Sequence, residues 1–230
     1  TLRSLDGQDE ATILREIQSA LRGLRFGAPG GRRVLALHGW LDNAASFLPM
    51  LPHLPGLDLL LLDLNMPGAQ GFSALVHLRA QHPQLPIVIV SAREEPTVMR
   101  RALDHGAMGF IPKSADTQVL GEALQRVLDG DRWVPAAASA APAASADEHD
   151  VAARISDLTP QQFRVLQMLG EGMLNKQIGY ELGVSEATVK AHMSAILRKL
   201  GASNRTQAVL IAGKLALEPG ALAPQPDEPD

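Results

Sequence analysis

The sequence predicts an α/β domain with a parallel sheet, followed by a smaller all-α domain. Over the first part of the chain, short and nearly continuous apolar runs alternate with helical stretches, as in parallel sheets whose strands are buried on both faces. After residue 134 the composition changes, and every later periodic segment has helical spacing. The chain has 230 residues, a length that accommodates two modest domains.

Four apolar runs are predicted as the strands of the sheet, at residues 33–37, 57–63, 87–91 and 109–111. Helices are predicted at residues 10–21, 43–54, 72–82, 95–105 and 117–129. A right-handed crossover allows the first run to lie directly beside the second, so that all four strands are parallel. We expect the helix over residues 10–21 to cover one face of this sheet.

The domain boundaries follow from composition. Residues 134–150 are rich in Ala, Pro and Ser without an apolar period, which indicates a flexible linker. The predicted organisation is an α/β domain over residues 1–133, a linker over 134–156, a helical domain over 157–217 and a disordered, Pro-rich acidic tail over 218–230.

The overall composition excludes several classes of protein. The chain has no cysteine, which excludes a disulfide scaffold, a thiolate zinc site and a cysteine nucleophile, and fits a cytoplasmic location. No apolar run approaches the roughly 20 residues of a membrane span, so we expect no membrane partner. The net charge is -4, so any affinity for nucleic acid must come from a local basic patch.

The helical domain has the spacing of a helix-turn-helix. Thr159 and Pro160 open a first helix, Asn175 caps a second that ends at Gly183, and Ser185 caps a third that runs to residue 200. A fourth is predicted over residues 205–217. Residues 157–214 contain seven basic and four acidic side chains, a net charge of +3, which favours phosphate binding over a merely solvated charged bundle.

The segment from Leu158 to Val209 resembles the LuxR-type DNA-binding domain of the NarL/FixJ response regulators. The resemblance is clearest at LTP, NKQI, SEATVKAH and ILRKLGASNRTQAV. It implies a homodimer on double-stranded DNA, with Lys190 on base edges and Thr188, Lys176 and Arg205 on phosphates. The DNA-binding residues so implied are Lys176, Thr188, Val189, Lys190, His192, Ser194 and Arg205. The implied dimer contacts are Gln207, Leu210 and Ile211, although Val209, Leu210, Ile211 and Leu215 could equally form core.

Polar side chains follow three of the predicted strands. Asp63 ends the second run, Ser91 ends the third, and Lys113 follows the fourth. The carboxyl ends of parallel strands lie at one edge of a sheet, where α/β domains bind ligands. This set suits an acyl-phosphate, with Asp63 as the nucleophile and the other two holding phosphoryl oxygens, although strand ends often carry polar residues for other reasons.

The same region resembles the receiver domain of bacterial response regulators. The segments that carry the resemblance are LDLLLLDLNMPGAQGFSALVHLR, IVIVSA and GAMGFIPKSA, from residue 57 to about residue 134. It implies that a sensor histidine kinase phosphorylates Asp63, that Ser91, Phe110 and Lys113 form the phosphorylation switch, and that Asp63 and the Asn65 carbonyl bind Mg²⁺.

The chain departs from a receiver before residue 57. It has one strand there, which ends in His38-Gly39-Trp40 and not in the acidic pair that binds magnesium. Residues 23–54 instead resemble the early part of an α/β-hydrolase, so the domain is a composite that could reflect a natural rearrangement, a gene fusion or the way the chain was prepared. No G-x-S-x-G nucleophile elbow is present, and we expect no enzyme activity.

Two functional hypotheses remain open. In the first, phosphorylation of Asp63 controls dimerisation and DNA binding. In the second, the chain is a transcription factor with a degenerate receiver-like domain that works without phosphorylation. The missing acidic pair favours the second hypothesis, whereas the set of Asp63, Ser91 and Lys113 favours the first.

Overall fold

A computed structural model describes residues 32–37, 57–66 and 69–217 of the chain. The helices predicted at residues 10–21 and 43–54 lie outside the described residues, as do the hydrolase-like His38-Gly39 and the acidic tail over 218–230.

The described strands form the predicted parallel sheet. They are β1 (Val34–Leu37), β2 (Leu59–Leu62), β5 (Ile87–Ser91) and β6 (Gly109–Pro112), arranged in the order β1-β2-β5-β6. β1 pairs with β2 in parallel from Val34 opposite Leu59 to Leu37 opposite Leu62, which confirms the predicted pairing of the first two strands. Between β2 and β5 the chain forms a short antiparallel pair, β3 (Asn65–Met66) and β4 (Ala69–Gln70).

Both faces of the sheet are covered, and this explains why its strands read as continuous apolar runs. On β2, Leu60 and Leu62 belong to one apolar cluster, whereas Leu59 belongs to a second cluster on the opposite face. The helices that follow the strands are α1 (Ser73–Gln81), α2 (Pro96–Asp104) and α3 (Thr117–Leu128), each within one residue of its predicted bounds.

The segment predicted to be a flexible linker contains two helices, so that prediction is corrected. They are α4 (Ala136–Ser139) and α5 (Ala146–Ser156). Pro135 lies at the N-terminus of α4, and Ser145 caps α5 by accepting a hydrogen bond from the Glu148 backbone N–H at 3.1 Å. Val151 and Ile155 of α5 are buried, so tertiary packing and a capping residue order a stretch whose composition alone suggests flexibility.

The helical domain consists of α6 (Pro160–Gly170), α7 (Asn175–Leu182), α8 (Glu186–Leu200) and α9 (Arg205–Gly213). Ser185 caps α8 as predicted, and Gly183 takes the left-handed conformation (φ 66°) that ends α7. Two details differ from the prediction. Asn175 is the first residue of α7, and the capping position is occupied by Leu174, whose N–H donates to the Gln177 side chain at 2.7 Å. The helix α9 ends at Gly213, four residues earlier than expected.

The two domains share one apolar core. The cluster that includes Leu60 and Leu62 continues through α1 and α5 into α6, α8 and α9. At the centre of the contact the His77 ring of α1 stacks on the Phe163 ring of α6, with centroids 4.2 Å apart and planes inclined by 4°. The helical domain is therefore packed against the α/β domain by buried side chains.

Candidate phosphorylation site and DNA interface

Asp63 lies at the carboxyl end of β2 with 4% of its surface exposed. Its Oδ2 accepts a hydrogen bond from Lys113 Nζ at 2.6 Å, and its Oδ1 accepts one from the backbone N–H of Asn65 at 3.0 Å. The carboxylate is thus held in one orientation, with a cation on one oxygen and an amide on the other. A carboxylate oriented in this way is chemically able to act as a nucleophile, and its charge is already compensated by Lys113.

Ser91 lies on β5, the strand next to β2, whereas Phe110 lies on β6, one strand further, and Lys113 directly follows β6. Ser91 ends β5 and is fully buried, and its Oγ accepts the Arg93 N–H at 3.1 Å. The Lys113 N–H donates to the Ser91 carbonyl at 2.8 Å, which joins the carboxyl ends of β5 and β6. Phe110 of β6 is fully buried. The structure therefore joins Lys113 to both Asp63 and Ser91 at the edge of the sheet, and it places Phe110 in the apolar core on β6.

A magnesium site fits the described residues poorly. Mg²⁺ requires oxygen ligands in near-octahedral geometry, usually with one or two carboxylates. No group of three or more His, Cys, Asp or Glu side chains that could hold a metal occurs within residues 32–37, 57–66 and 69–217. Leu37 of β1 is paired with Leu62 beside Asp63, and the next residue in the sequence is His38 and not a carboxylate. Asp63 itself is already paired with Lys113.

The exposed side of α8 carries the predicted DNA contacts. Thr188, Lys190 and Ser194 are exposed, and we refer to these three residues as the reading face. Lys190 Nζ lies 3.0 Å from Glu186 Oε1, and both side chains are at least half exposed, so this ion pair competes weakly with a phosphate or a base. His192 is half-buried, and Lys176 is exposed in the first turn of α7.

Two of the residues predicted to bind DNA have other roles in this structure. Val189 is fully buried in the core of the helical domain, because it lies on the apolar stripe of α8, and its inclusion among the DNA contacts is corrected. Arg205 is half-buried and its Nη2 donates to the Met173 carbonyl at 2.6 Å, which ties the start of α9 to the turn before α7.

The predicted dimer contacts on α9 differ in exposure. Gln207 is exposed and Leu210 exposes 45% of its surface, whereas Ile211 is half-buried. Leu215, beyond the helix, is fully buried and belongs to the core, as one of the alternatives proposed. An exposed leucine on a helix otherwise packed against the core leaves an apolar surface that a second copy can cover.

Arg101 and Glu148 form an important contact that the sequence analysis did not identify. Arg101 Nε donates to Glu148 Oε1 at 2.8 Å, between α2 and α5. The two residues lie 47 positions apart, and no local motif marks either of them. In the sequence, this contact is indicated only by an amphipathic α2 with an arginine near its end. That pattern does not show which residue the arginine contacts.

Known protein families match both domains. Residues 34–125 match the response regulator receiver domain, and residues 156–212 match the bacterial regulatory proteins of the luxR family. In the part of the chain that the structure describes, no helix is long and apolar enough to cross a membrane.

The matches to individual proteins extend over most of the chain. The glycerol metabolism activator of Pseudomonas putida is 42% identical over 165 residues, which is 69% of this chain and 75% of that protein. The nitrate/nitrite response regulator NarL of Escherichia coli K12 is 32% identical, over 66% of this chain and 72% of that protein. The solved structure of RcsB from Salmonella enterica serovar Typhimurium bound to a promoter is 22% identical, covering 76% of this chain and 83% of that one at a TM-score of 0.41. The chain therefore belongs to the family of two-component response regulators that join a receiver domain to a LuxR-type DNA-binding domain and regulate transcription.

Proposed function

We propose that this regulator acts in the cytoplasm, binds double-stranded DNA as a homodimer through α8, and is controlled by phosphorylation of Asp63 by a sensor histidine kinase. The observation that carries the proposal is the buried Asp63 carboxylate, held by Lys113 at 2.6 Å beside Ser91 at the carboxyl edge of the sheet. The exposed reading face and the exposed Leu210 on α9 support the DNA and dimer parts.

The proposed transfer uses the residues at the sheet edge. One carboxylate oxygen of Asp63 forms a bond to the phosphorus as the bond from phosphorus to the donor nitrogen of the kinase breaks, and that nitrogen keeps the electron pair. Lys113 offsets negative charge on the phosphoryl oxygens, and the Ser91 hydroxyl turns from Arg93 to donate to one of them. We expect the buried Phe110 ring of the neighbouring β6 to change position when the Ser91 hydroxyl turns.

A regulator that works without phosphorylation is the second candidate. The observation that favours it is the missing carboxylate pair, since Asp63 has no acidic neighbours that complete a metal site among the described residues. In this candidate the Asp63–Lys113 pair only stabilises the sheet edge, and a protein or a small ligand controls the receiver-like domain.

Intact mass after incubation with an acyl phosphate separates the two candidates. We expect the wild type to gain one phosphoryl group and Asp63→Asn to gain none, because the amide is not a nucleophile. Parallel samples with Mg²⁺ and with a chelator report whether a metal is needed. If the wild type stays unmodified in both samples while a complete receiver is labelled in the Mg²⁺ sample, Asp63 is not an acceptor and the second candidate holds.

Replacing Lys190 with Ala tests the base-reading role of α8. We expect the affinity for duplexes selected from a random pool to fall by about 1–3 kcal/mol and discrimination to be lost at one base pair, because a lysine on a guanine edge specifies sequence. Competition binding against single-base variants of the selected duplex measures both. An unchanged sequence preference contradicts this role of Lys190.

Lys176→Ala is the matched control, because it removes the same charge from the helix before the turn. We expect it to weaken binding to all sequences equally and to lower the slope of log affinity against log salt by about 1, as for one lost phosphate contact. If Lys176→Ala changes the preferred DNA sequence, Lys176 contacts base edges and not only phosphates.

A further inference from the structure

Arg101 holds the backbone that follows α9. Its Nη1 donates to the Leu217 carbonyl at 3.2 Å, and its Nη2 donates to the carbonyls of Lys214 at 3.2 Å and Ala216 at 3.1 Å. We refer to residues 214–217 as the C-terminal turn. A helix end leaves carbonyls unpaired and partly negative, so a guanidinium at this position satisfies them and complements the helix dipole.

The segment that follows Asp63 contacts the same turn. The Phe72 N–H donates to the Leu215 carbonyl at 2.8 Å, and the Phe72 ring lies under the Arg101 guanidinium, 4.6 Å from it. Gly71 has φ 74°, and a Cβ there would lie 2.2 Å from the Leu215 carbonyl oxygen. The Gly71 N–H also donates to the carbonyl of Leu64, the residue after Asp63, so this contact begins one residue from the carboxylate.

The reading face stays open while these contacts are made. Thr188, Lys190 and Ser194 are exposed although the DNA-binding domain is packed against the receiver domain through α5, α6 and the C-terminal turn. The receiver domain therefore holds the end of α9 and does not cover the side of α8 that carries the DNA contacts.

We propose that the C-terminal turn couples the two domains. Arg101 and the Gly71-Phe72 backbone of the receiver domain hold this turn, so that the segment after Asp63 positions α9. The reading face remains accessible in this arrangement. This proposal rests on the proposed function in one respect, namely that the reading face is the surface that binds DNA. The coupling itself requires no phosphorylation, because it rests on backbone contacts. Arg101 is a positioning residue in this arrangement.

Distance measurements by pulsed electron paramagnetic resonance test the contact. The chain has no cysteine, so Glu122→Cys on α3 and Thr206→Cys on α9 place one spin label on each domain at exposed positions. We expect a narrow distance distribution in this background and a broader, longer one after Arg101→Ala. Arg100→Ala is the matched control, since Arg100 pairs with Asp104 of its own helix at 3.0 Å, and we expect it to keep the narrow distribution. An Arg101→Ala distribution that equals the control overturns the proposal.

Gly71→Ala provides a test that does not alter charge. Gly71 and Gly130 both have positive φ, at 74° and 97°, but nothing lies within 4 Å of a Cβ at Gly130. Both substitutions strain the backbone, so only the contact with the C-terminal turn differs between them. We expect Gly71→Ala to broaden the distance distribution and Gly130→Ala to leave it narrow, and equal distributions in the two variants overturn the proposal.

Binding to a random-sequence duplex tests whether the reading face is open. We expect Arg101→Ala to bind a fluorescent duplex within about twofold of the wild type, because release uncovers no new DNA surface. A gain of about tenfold or more, the size of an ordinary coupling between sites, shows that the receiver domain covers that surface and overturns the proposal. If Lys176→Ala and Lys190→Ala leave duplex binding unchanged, the proposed DNA interface fails, and the distance measurements still decide the coupling.

Discussion

Replacing Glu148 with Ala is expected to lower the free energy of unfolding by about 3 kcal/mol, as for a buried ion pair that loses one partner. Glu148 Oε1 accepts hydrogen bonds from Arg101 Nε at 2.8 Å and from His105 Nε2 at 2.6 Å. The side chains of Glu148 and Arg101 are 11% and 12% exposed, and that of His105 is 1% exposed. Truncation leaves a guanidinium and an imidazole without their shared acceptor, where water reaches them poorly.

Asp147→Ala is the matched control for this experiment. Asp147 is the neighbouring residue on α5 and pairs with Lys214 of the C-terminal turn at 2.7 Å, so it also forms an ion pair between two elements. Its side chain is 64% exposed, and surface pairs of this kind contribute about 0–1 kcal/mol. Urea unfolding of both variants, followed by circular dichroism at constant pH, measures the difference. Equal losses of stability in the two variants contradict the role given to burial.

The sheet and the site at its edge could be predicted because their signals are local. Continuous apolar runs mark strands buried on both faces, and parallel strands end at the same edge. The Asp63–Lys113 contact follows from these two facts, although the residues lie 50 positions apart. The caps at Thr159 and Ser185 could likewise be read from the sequence, since a capping side chain bonds an N–H three residues away.

The contacts between the domains could not be predicted, because no periodicity encodes which surfaces meet. The Ala-rich stretch after residue 134 has a composition typical of a linker, yet Ala138 is fully buried. Arg101 is one of several arginines on the α/β domain, and only the folded chain shows that it meets the end of α9. The family resemblance implies that Arg205 binds phosphate, whereas in the folded chain Arg205 donates to the Met173 carbonyl.

His77 is expected to make the stability of the protein depend on pH. The ring is 1% exposed, stacks on Phe163, and its Nδ1 has no hydrogen-bond partner among the described residues. Burial, with a smaller contribution from the nearby His82, lowers the pKa of His77 from its ordinary value of 6.5 to about 4. The neutral ring is therefore the form that fits between the domains.

The sign of the effect follows from the direction of this shift. Unfolding restores the ordinary pKa, so the unfolded chain binds a proton at His77 that the folded chain does not. The contribution of His77 is complete above about pH 6.5 and is lost as the pH falls toward about 4, with a total of about 3 kcal/mol. About 2 kcal/mol of this is lost between about pH 7.5 and about pH 5.

Comparison with His77→Phe isolates this contribution from the other titrating groups. Burial also lowers the pKa values of His82 and His105, which adds to the loss in acid, and raises the pKa of Glu171, which opposes it. These groups are present in both proteins, and phenylalanine keeps the stacking on Phe163 without binding a proton. At pH 8, urea unfolding measures the difference in stability that is due to packing alone. Measurements down to pH 5 add the free energy of protonating His77. We expect the wild type to lose about 2 kcal/mol more than His77→Phe over this range. Parallel losses in the two proteins place the acid sensitivity at other groups, since the interface between the domains then tolerates a charged ring at position 77.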